Sequence, residues 1–295
     1  MIKKIIAISM ACLISGIGFP VSLVFALPQD GNIVGGQGTI NQPTANDLVI
    51  NQNTGNLIIN WQGFSIGASE TVRFIQPSVN SVALNRVVGT DPSLIAGRLS
   101  ANGQVFITNP SGVIFLPGSQ VDVHGLLATT LGISDQDFLN RTYNFFQDPS
   151  RSLASILNEG NINADFVGLL APSVVNRGTL DASGKGAGEK GGTIHVTGEN
   201  VGLFETAKLD ASCDIGDGEI LVGGDWLGEG EFQNAKATFI GEDVSVKADA
   251  ITNGDGGKLI VFAEDSAKIY GDLSARGGAV SGNGGFIETS GKAIL

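Results

Sequence analysis

Short apolar runs bounded by glycine, proline or asparagine recur along almost the whole chain, and sustained helical periodicity is nearly absent. In NDLVINQNTGNLIINW, Val49 and Ile50 and then Leu57, Ile58 and Ile59 read as strands, with Thr54-Gly55 as the turn between them. Trp61, Phe64 and Ile66 follow in WQGFSIG as large apolar anchors. Between residues 70 and 130 the segments ETVRFIQP, SVALNRVVG, GQVFITN, GVIFLPG and VDVHGLLATT are further short strands. Helix signals are confined to one place. Ser134 stands three residues before Asp137 at capping-box spacing, ahead of Phe138 and Leu139. RSLASIL (151–157) predicts a second short helix, so residues 133–157 read as an excursion from a β scaffold.

From residue 160 the chain repeats itself. LDAS (180–183) leads to GGTIHV, LDAS (209–212) to DGEILV, VKADA (246–250) to GGKLIV, and LSAR (273–276) to GGFIET. Aligned on Gly192, Gly218, Gly257 and Gly285, the copies are 26, 39 and 28 residues apart. A constant strand–turn–strand core with unequal spacing is the mark of a solenoid with loop insertions. A further echo pairs VGLL (167–170) with VGLF (201–204). The expected fold is all-β: a right-handed parallel β-helix with an N-terminal cap and a short extra-helical excursion. Ile194 and Val196, Ile220 and Val222, and Leu259 and Val261 are expected to stack inward, with glycine at the corners permitting positive φ. An antiparallel sandwich would also give many short strands, but it explains the repeated GGxIxV poorly.

Composition narrows the functional classes. The 295 residues carry 43 glycines, a formal net charge of -12 and only 16% charged residues. An acidic chain lacks the clustered Lys and Arg that a phosphate backbone requires, so no nucleic-acid partner is expected. With 42% hydrophobic residues the chain is too apolar for a disordered one. Residues 1–26 read as a Sec export signal: Lys3 and Lys4, then an apolar stretch, then Val24 and Ala26 at −3 and −1 of a cleavage site. Cleavage there leaves Cys213 as the single cysteine, so no internal disulfide is expected.

Candidate chemistry is sparse. His124 and His195 have no cysteine or second histidine at metal-ligand spacing, and His195, between Ile194 and Val196, is expected to point outward. Asp214–Glu219 and Asn253–Gly256 look faintly calcium-like, but turn chemistry explains both. Cys213 reads as a small residue at a corner. No carboxylate pair stands out, so no enzyme, cofactor or metal is expected. That leaves NPSG. Asn109 at i, Pro110 at i+1 and Gly112 at i+3 are favoured in a type I turn.

The stretch from INWQGFSIGASETVRFIQP through GQVFITNPSGVIFLPGSQVDVHGLLATTLGISDQDFLNRTYNF closely resembles the N-terminal secretion domain of filamentous-haemagglutinin-like exoproteins, the TpsA partners of two-partner secretion in Gram-negative bacteria. The resemblance covers about residues 28–175, and GNGGFIETSGK (282–292) resembles the β-helix that follows in large members. It implies a β-helical domain recognised in the periplasm by the POTRA domains of a TpsB-type outer-membrane transporter. It also places an NPNGI motif on Asn109, Pro110, Ser111, Gly112 and Val113, with Ser and Val as the departures. The family's second motif, NPNL, has no intact match. The resulting division is a signal peptide (1–26), a two-partner-secretion domain (27–175) and continuing β-helix repeats (176–295). The implied product is a secreted or cell-surface exoprotein of adhesin or haemagglutinin type, with host or bacterial surface glycans or proteins as candidate partners. A β-helix enzyme acting on polysaccharide and a passive surface protein are the alternatives.

Overall fold

The computed structural model describes residues 27–147, 154–184, 186–230 and 233–294; the expected export signal lies outside them. The chain winds as a parallel β-helix with three sheets. The first sheet takes one strand from each of nine coils. In order these are Asn56–Trp61, Val82–Val87, Gln104–Thr108, Gly125–Thr129, Phe166–Leu170, Thr193–Thr197, Glu219–Val222, the first half of Lys258–Ile269, and Phe286–Ile294. The second sheet begins at Ser93–Ile95 and Val113–Phe115 and runs through the second half of Lys258–Ile269 to the end of Phe286–Ile294. The third runs from Asp47–Gln52 to Asp272–Ser274. All strand pairing between coils is parallel, which excludes the sandwich.

The core follows from register. Alternate residues of a strand face the same side, and parallel stacking places like positions above one another at roughly 4.8 Å. In the first sheet Leu57, Ala83, Val105, Leu126, Val167, Ile194, Ile220 and Leu259 form one inward column, and all are fully buried. Val196, Val222 and Val261 lie in the next, as expected. The LDAS and VKADA modules supply the third sheet, where Leu180, Leu209, Val246 and Leu273 stack in register. One coil cannot bury its own apolar face, so the stacking is itself the core. Each fully buried Val, Leu or Ile in such a column contributes about 1.5–3 kcal/mol.

The N-terminus is closed by two antiparallel strands: Asn32–Gly35 pairs with Asn56–Trp61, and Gly38–Thr44 with Asp47–Gln52. Trp61, Phe64 and Ile66 are buried beneath this cap, and Trp61 Nε1 donates to the inward-pointing Asn85 at 3.0 Å. The expected helix exists as Asp135–Leu139, with Ser134 Oγ accepting from Asp137 N at 3.0 Å.

Three expectations are corrected. RSLASIL is no helix over its described part, because Ser155–Asn158 pairs in parallel with Val113–Phe115; residues 151–153 lie outside the described residues. Ile156 and Asn158 are buried, and tertiary pairing overrides the weak helical pattern. The VGLL/VGLF echo is not a register match, since Val167 stands in the first sheet and Val201 in the second. The positive φ expected at the corners falls on Gly188, Gly216, Gly254 and Gly282, whereas the glycines that align the repeat, Gly192, Gly218, Gly257 and Gly285, have no positive φ. What excludes a side chain there is close approach: a Cβ at Gly257 would lie 2.1 Å from the Gly218 carbonyl oxygen of the coil below. Each amide that follows these glycines continues the ladder, as in Lys258 N to Gly218 O at 2.8 Å.

Candidate functional site

Asn109, Pro110, Ser111, Gly112 and Val113 form the corner between the first and second sheets in the third coil. The turn is closed by Gly112 N donating to Asn109 O at 2.9 Å. Asn109 Oδ1 accepts from Ser111 N at 2.9 Å, an Asx turn that braces the same corner from its side chain. Gly112 has φ +108, and a Cβ on it would lie 2.9 Å from the Ser155 carbonyl oxygen of the next coil. Glycine is therefore required there on two separate grounds, conformation and space.

The corner is more than a local turn. Asn109 is fully buried, and its Nδ2 donates to Asp91 O and Ser93 Oγ of the coil below, each at 3.0 Å. Its backbone N–H donates to Thr129 O of the coil above at 3.0 Å. Ser93 N donates to Gly112 O at 3.0 Å, and Val113 packs fully buried between Ser93 and Ile156. One asparagine thus satisfies groups from three successive coils. Only Pro110 and Ser111 keep partly accessible side chains.

Asp91, Ser93, Thr129 and Ser155 complete this corner, and sequence reasoning did not single them out. No local signal could have, because coil length sets their register. A second pair of corner asparagines was legible: N-E-G at 158–160 and N-R-G at 176–178 recur one coil apart. Both are buried, and Asn158 Nδ2 donates to Asn176 Oδ1 at 2.7 Å.

The other candidates do not converge. His124 Nδ1 lies 3.1 Å from Asp165 Oδ2, and His195 Nε2 lies 2.9 Å from Glu219 Oε1 two coils further on. Lys258 Nζ bridges Glu219 Oε2 at 3.4 Å and Asp225 Oδ1 at 2.7 Å. The His195 hydrogen bond, with Lys258 beside it, outweighs burial and holds the Glu219 carboxyl below its ordinary range. Lys258 does the same for Asp225. Burial pushes Asp249 upward, but the Arg276 N–H, the Ser274 hydroxyl and the Arg276 guanidinium together leave it lowered. Cys213 is fully buried with its thiol pushed up by burial, and its Sγ donates to Gly216 O at 2.8 Å. Among the described residues no group of three or more His, Cys, Asp or Glu could hold a metal ion. Asp214 and Asp255 accept backbone N–H groups from neighbouring loops, Gly188 and Asn283, each at 2.6 Å.

A capped parallel β-helix with a buried asparagine corner and an extra-helical excursion is the class of protein that these features define. Residues 26–225 match the family model of the TPS secretion domain, more than half of the chain, and the chain belongs to that family of two-partner-secretion domains. It is 36% identical over 193 residues to a heme/hemopexin-binding protein of Haemophilus influenzae strain Rd, covering 62% of this chain and 21% of that one. A second heme/hemopexin-binding protein of Haemophilus influenzae is 40% identical over 134 residues, covering 45% and 14%. The chain therefore spans no more than about a fifth of the length of the curated relatives it matches. Among solved structures, the HMW1 secretion domain from Haemophilus influenzae is 25% identical with a TM-score of 0.47, covering 91% of this chain and 96% of that one. The filamentous hemagglutinin secretion domain is 17% identical with a TM-score of 0.39, covering 90% and 99%.

Proposed function

We propose that this chain directs the export of a secreted exoprotein through a TpsB-type outer-membrane transporter, with the Asn109–Val113 corner as part of what the transporter's POTRA domains read. Family membership over residues 26–225 is the observation that carries the reading. The chain enters the periplasm by a Sec signal at residues 1–26, and its N-terminal region pairs with the transporter by strand addition. Folding outside then proceeds coil by coil, and burial of each coil biases transport outward. On this reading the cap strands protect the open edge of the first coil. The exported product acts at the cell surface as an adhesin or haemagglutinin and has no enzymatic activity.

The names of the relatives favour a second reading of the cargo, in which the exoprotein binds heme or hemopexin. That choice concerns the exoprotein's target and leaves the export role unchanged.

The test is secretion into the medium with and without the cognate transporter, for wild type and Asn109→Ala. Export that depends on the transporter and fails in the variant is the expected result. Export that ignores the transporter overturns the proposal. Because Asn109 is buried, the variant also needs an equilibrium unfolding measurement. Removing its side chain strands several polar groups, each at a cost of about 1–3 kcal/mol.

A further inference from the structure

The outward face of the first sheet is apolar in its early coils, which is unusual for a surface exposed to water. Ile58 of coil 1, Val82 and Leu84 of coil 2, Phe106 of coil 3 and Leu127 of coil 4 form a buried cluster separate from the interior columns. Phe166 of coil 5 packs against it. What covers this cluster is the excursion, through Ile133, Phe138, Tyr143 and Phe145. Phe106, Phe138 and Tyr143 meet as an aromatic triad with centroids 5.3–6.1 Å apart.

We infer that the excursion, residues 132–147, is a late-docking clasp that joins the first four coils into one cooperative unit and leaves coils 6–9 outside it. The inference concerns how the chain folds and does not depend on the transporter.

Three observations carry it. The excursion's own elements are a five-residue helix and the two-residue strands Gly132–Ile133 and Phe145–Phe146. Pieces this short have no stability of their own. Its seat does not exist within any single coil, so docking must follow stacking. Its polar ties also skip coils. The segment leaves the helix at coil 4, yet Arg86 of coil 2 donates to Ile133 O at 3.0 Å and to Asp135 Oδ1 at 2.6 Å. Asn56 of coil 1 donates to Leu139 O at 3.0 Å and accepts from Arg141 Nε at 3.2 Å. Arg141 Nη2 also donates to Asn80 O at 3.0 Å.

A bare solenoid is coupled only between neighbouring coils, so it can fray from an end. A segment of coil 4 fastened to coils 1 and 2 adds coupling beyond the nearest neighbour. The first coils cannot then open without also releasing the clasp. It also means that the emerging N-terminal coils leave an apolar outer face uncovered until the excursion arrives.

Native-state hydrogen exchange on the full chain tests this. Amides of coils 1–4 in the first sheet are expected to share one opening reaction, distinct from that of residues 194–197 and 220–222. In Phe138→Ala the exchange of coils 1–4 should accelerate on the order of a hundredfold, with little change in coils 6–9. Acceleration confined to residues 132–147 would overturn the inference, because the excursion would then open without loosening the coils. Equal acceleration in both halves would also overturn it, since the molecule would be one unit throughout. If Phe138→Ala does not fold, Arg141→Gln removes only the ties to Asn56 and Asn80. It should give a smaller acceleration with the same distribution, and one restricted to the excursion counts against the clasp in the same way.

Discussion

Coils 1–5 and coils 6–9 share their inner columns and differ in almost everything outside them. In the early coils the corner from the third sheet to the first is tight, as between Asn163 and Phe166. In the later coils the same corner swells into glycine-rich loops, as between Asp181 and Thr193 or Lys247 and Lys258. These loops stack on one another through their backbones, for example Thr252 N to Asp214 O at 3.0 Å and Val280 N to Thr252 O at 2.9 Å. The outer faces diverge as well. The column that reads Ile58, Leu84, Phe106 and Leu127 is interrupted at Gly168 and His195 and turns apolar and buried again at Leu221 and Ile260, which belong neither to the interior core nor to the excursion's cluster. Thus one inward pattern tolerates two quite different exteriors. The early coils are covered by the excursion, whereas the later ones add stacked corner loops, the Phe204–Phe239–Tyr270 ring contacts and the ion pairs of Lys258.

The strongest way to break that contrast is the Phe138→Ala variant, a cavity in the early cover worth about 3–5 kcal/mol. Its counterpart in the later coils is Gly257→Ala. The new Cβ would sit 2.1 Å from Gly218 O of the coil below and 3.0 Å from the Ala248 Cβ across its own corner. Backbone must shift to admit it, at about 1–3 kcal/mol. Limited proteolysis and exchange should show the damage in coils 7–9, with coils 1–4 as protected as in wild type. Loss of protection in the early coils would mean that the two halves do not differ in cooperativity.

Acid sharpens the same comparison. Glu219, Asp225 and Asp249, all in coils 7 and 8, are held below their ordinary values of 4.5, 3.8 and 3.8. A carboxylate whose folded value is depressed adds stability that is fully present above its unfolded value. That stability is lost as pH falls through the folded one. Among the described residues of the early coils only Asp137, on the exposed side of the excursion, shows such a lowering. Below about pH 4 the later coils should therefore exchange and be cleaved first. Uniform acid sensitivity, followed by exchange at pH 5 and at pH 3, would erase the distinction.

How much of this was legible in the sequence depends on whether a feature is local. The inward columns were, because Ile194/Val196 and their repeats alternate at period two and glycine marks each corner. The Ser134 cap was, because its whole mechanism fits within four residues. Features set by register were not. That Ile58, Leu84 and Phe106 face outward under a cover cannot be read from their strands, which show apolar residues on both faces. Likewise NPSG advertises a turn, but nothing near it says that Asn109 is fully buried and bonded to Asp91, Ser93 and Thr129. The corner glycines answer two demands, positive φ at Gly188, Gly216, Gly254 and Gly282 and the close approach of backbone at Gly192, Gly218, Gly257 and Gly285, and both leave the same letter in the sequence.

The smallest expected effect bears on the corner itself. In the folded domain Asn109, Gly112 and Val113 are enclosed, so a partner that reads the finished turn meets chiefly Pro110 and Ser111. Of these, Ser111 contributes its backbone N–H to Asn109 Oδ1, and its hydroxyl has no structural task comparable with the Asn109 amide. Ser111→Ala should then change stability by less than about 0.5 kcal/mol. Its export through the transporter separates two modes of reading. Reduced export at unchanged stability means that the exposed tip of the folded turn is contacted. Unchanged export, alongside a defect in Asn109→Ala, means that the asparagine is read before the corner closes, or that the corner serves only to fold coils 2–4 once they are outside. Refolding rates of Asn109→Ala decide between those last two: a rate equal to wild type leaves recognition of the unfolded segment as the explanation.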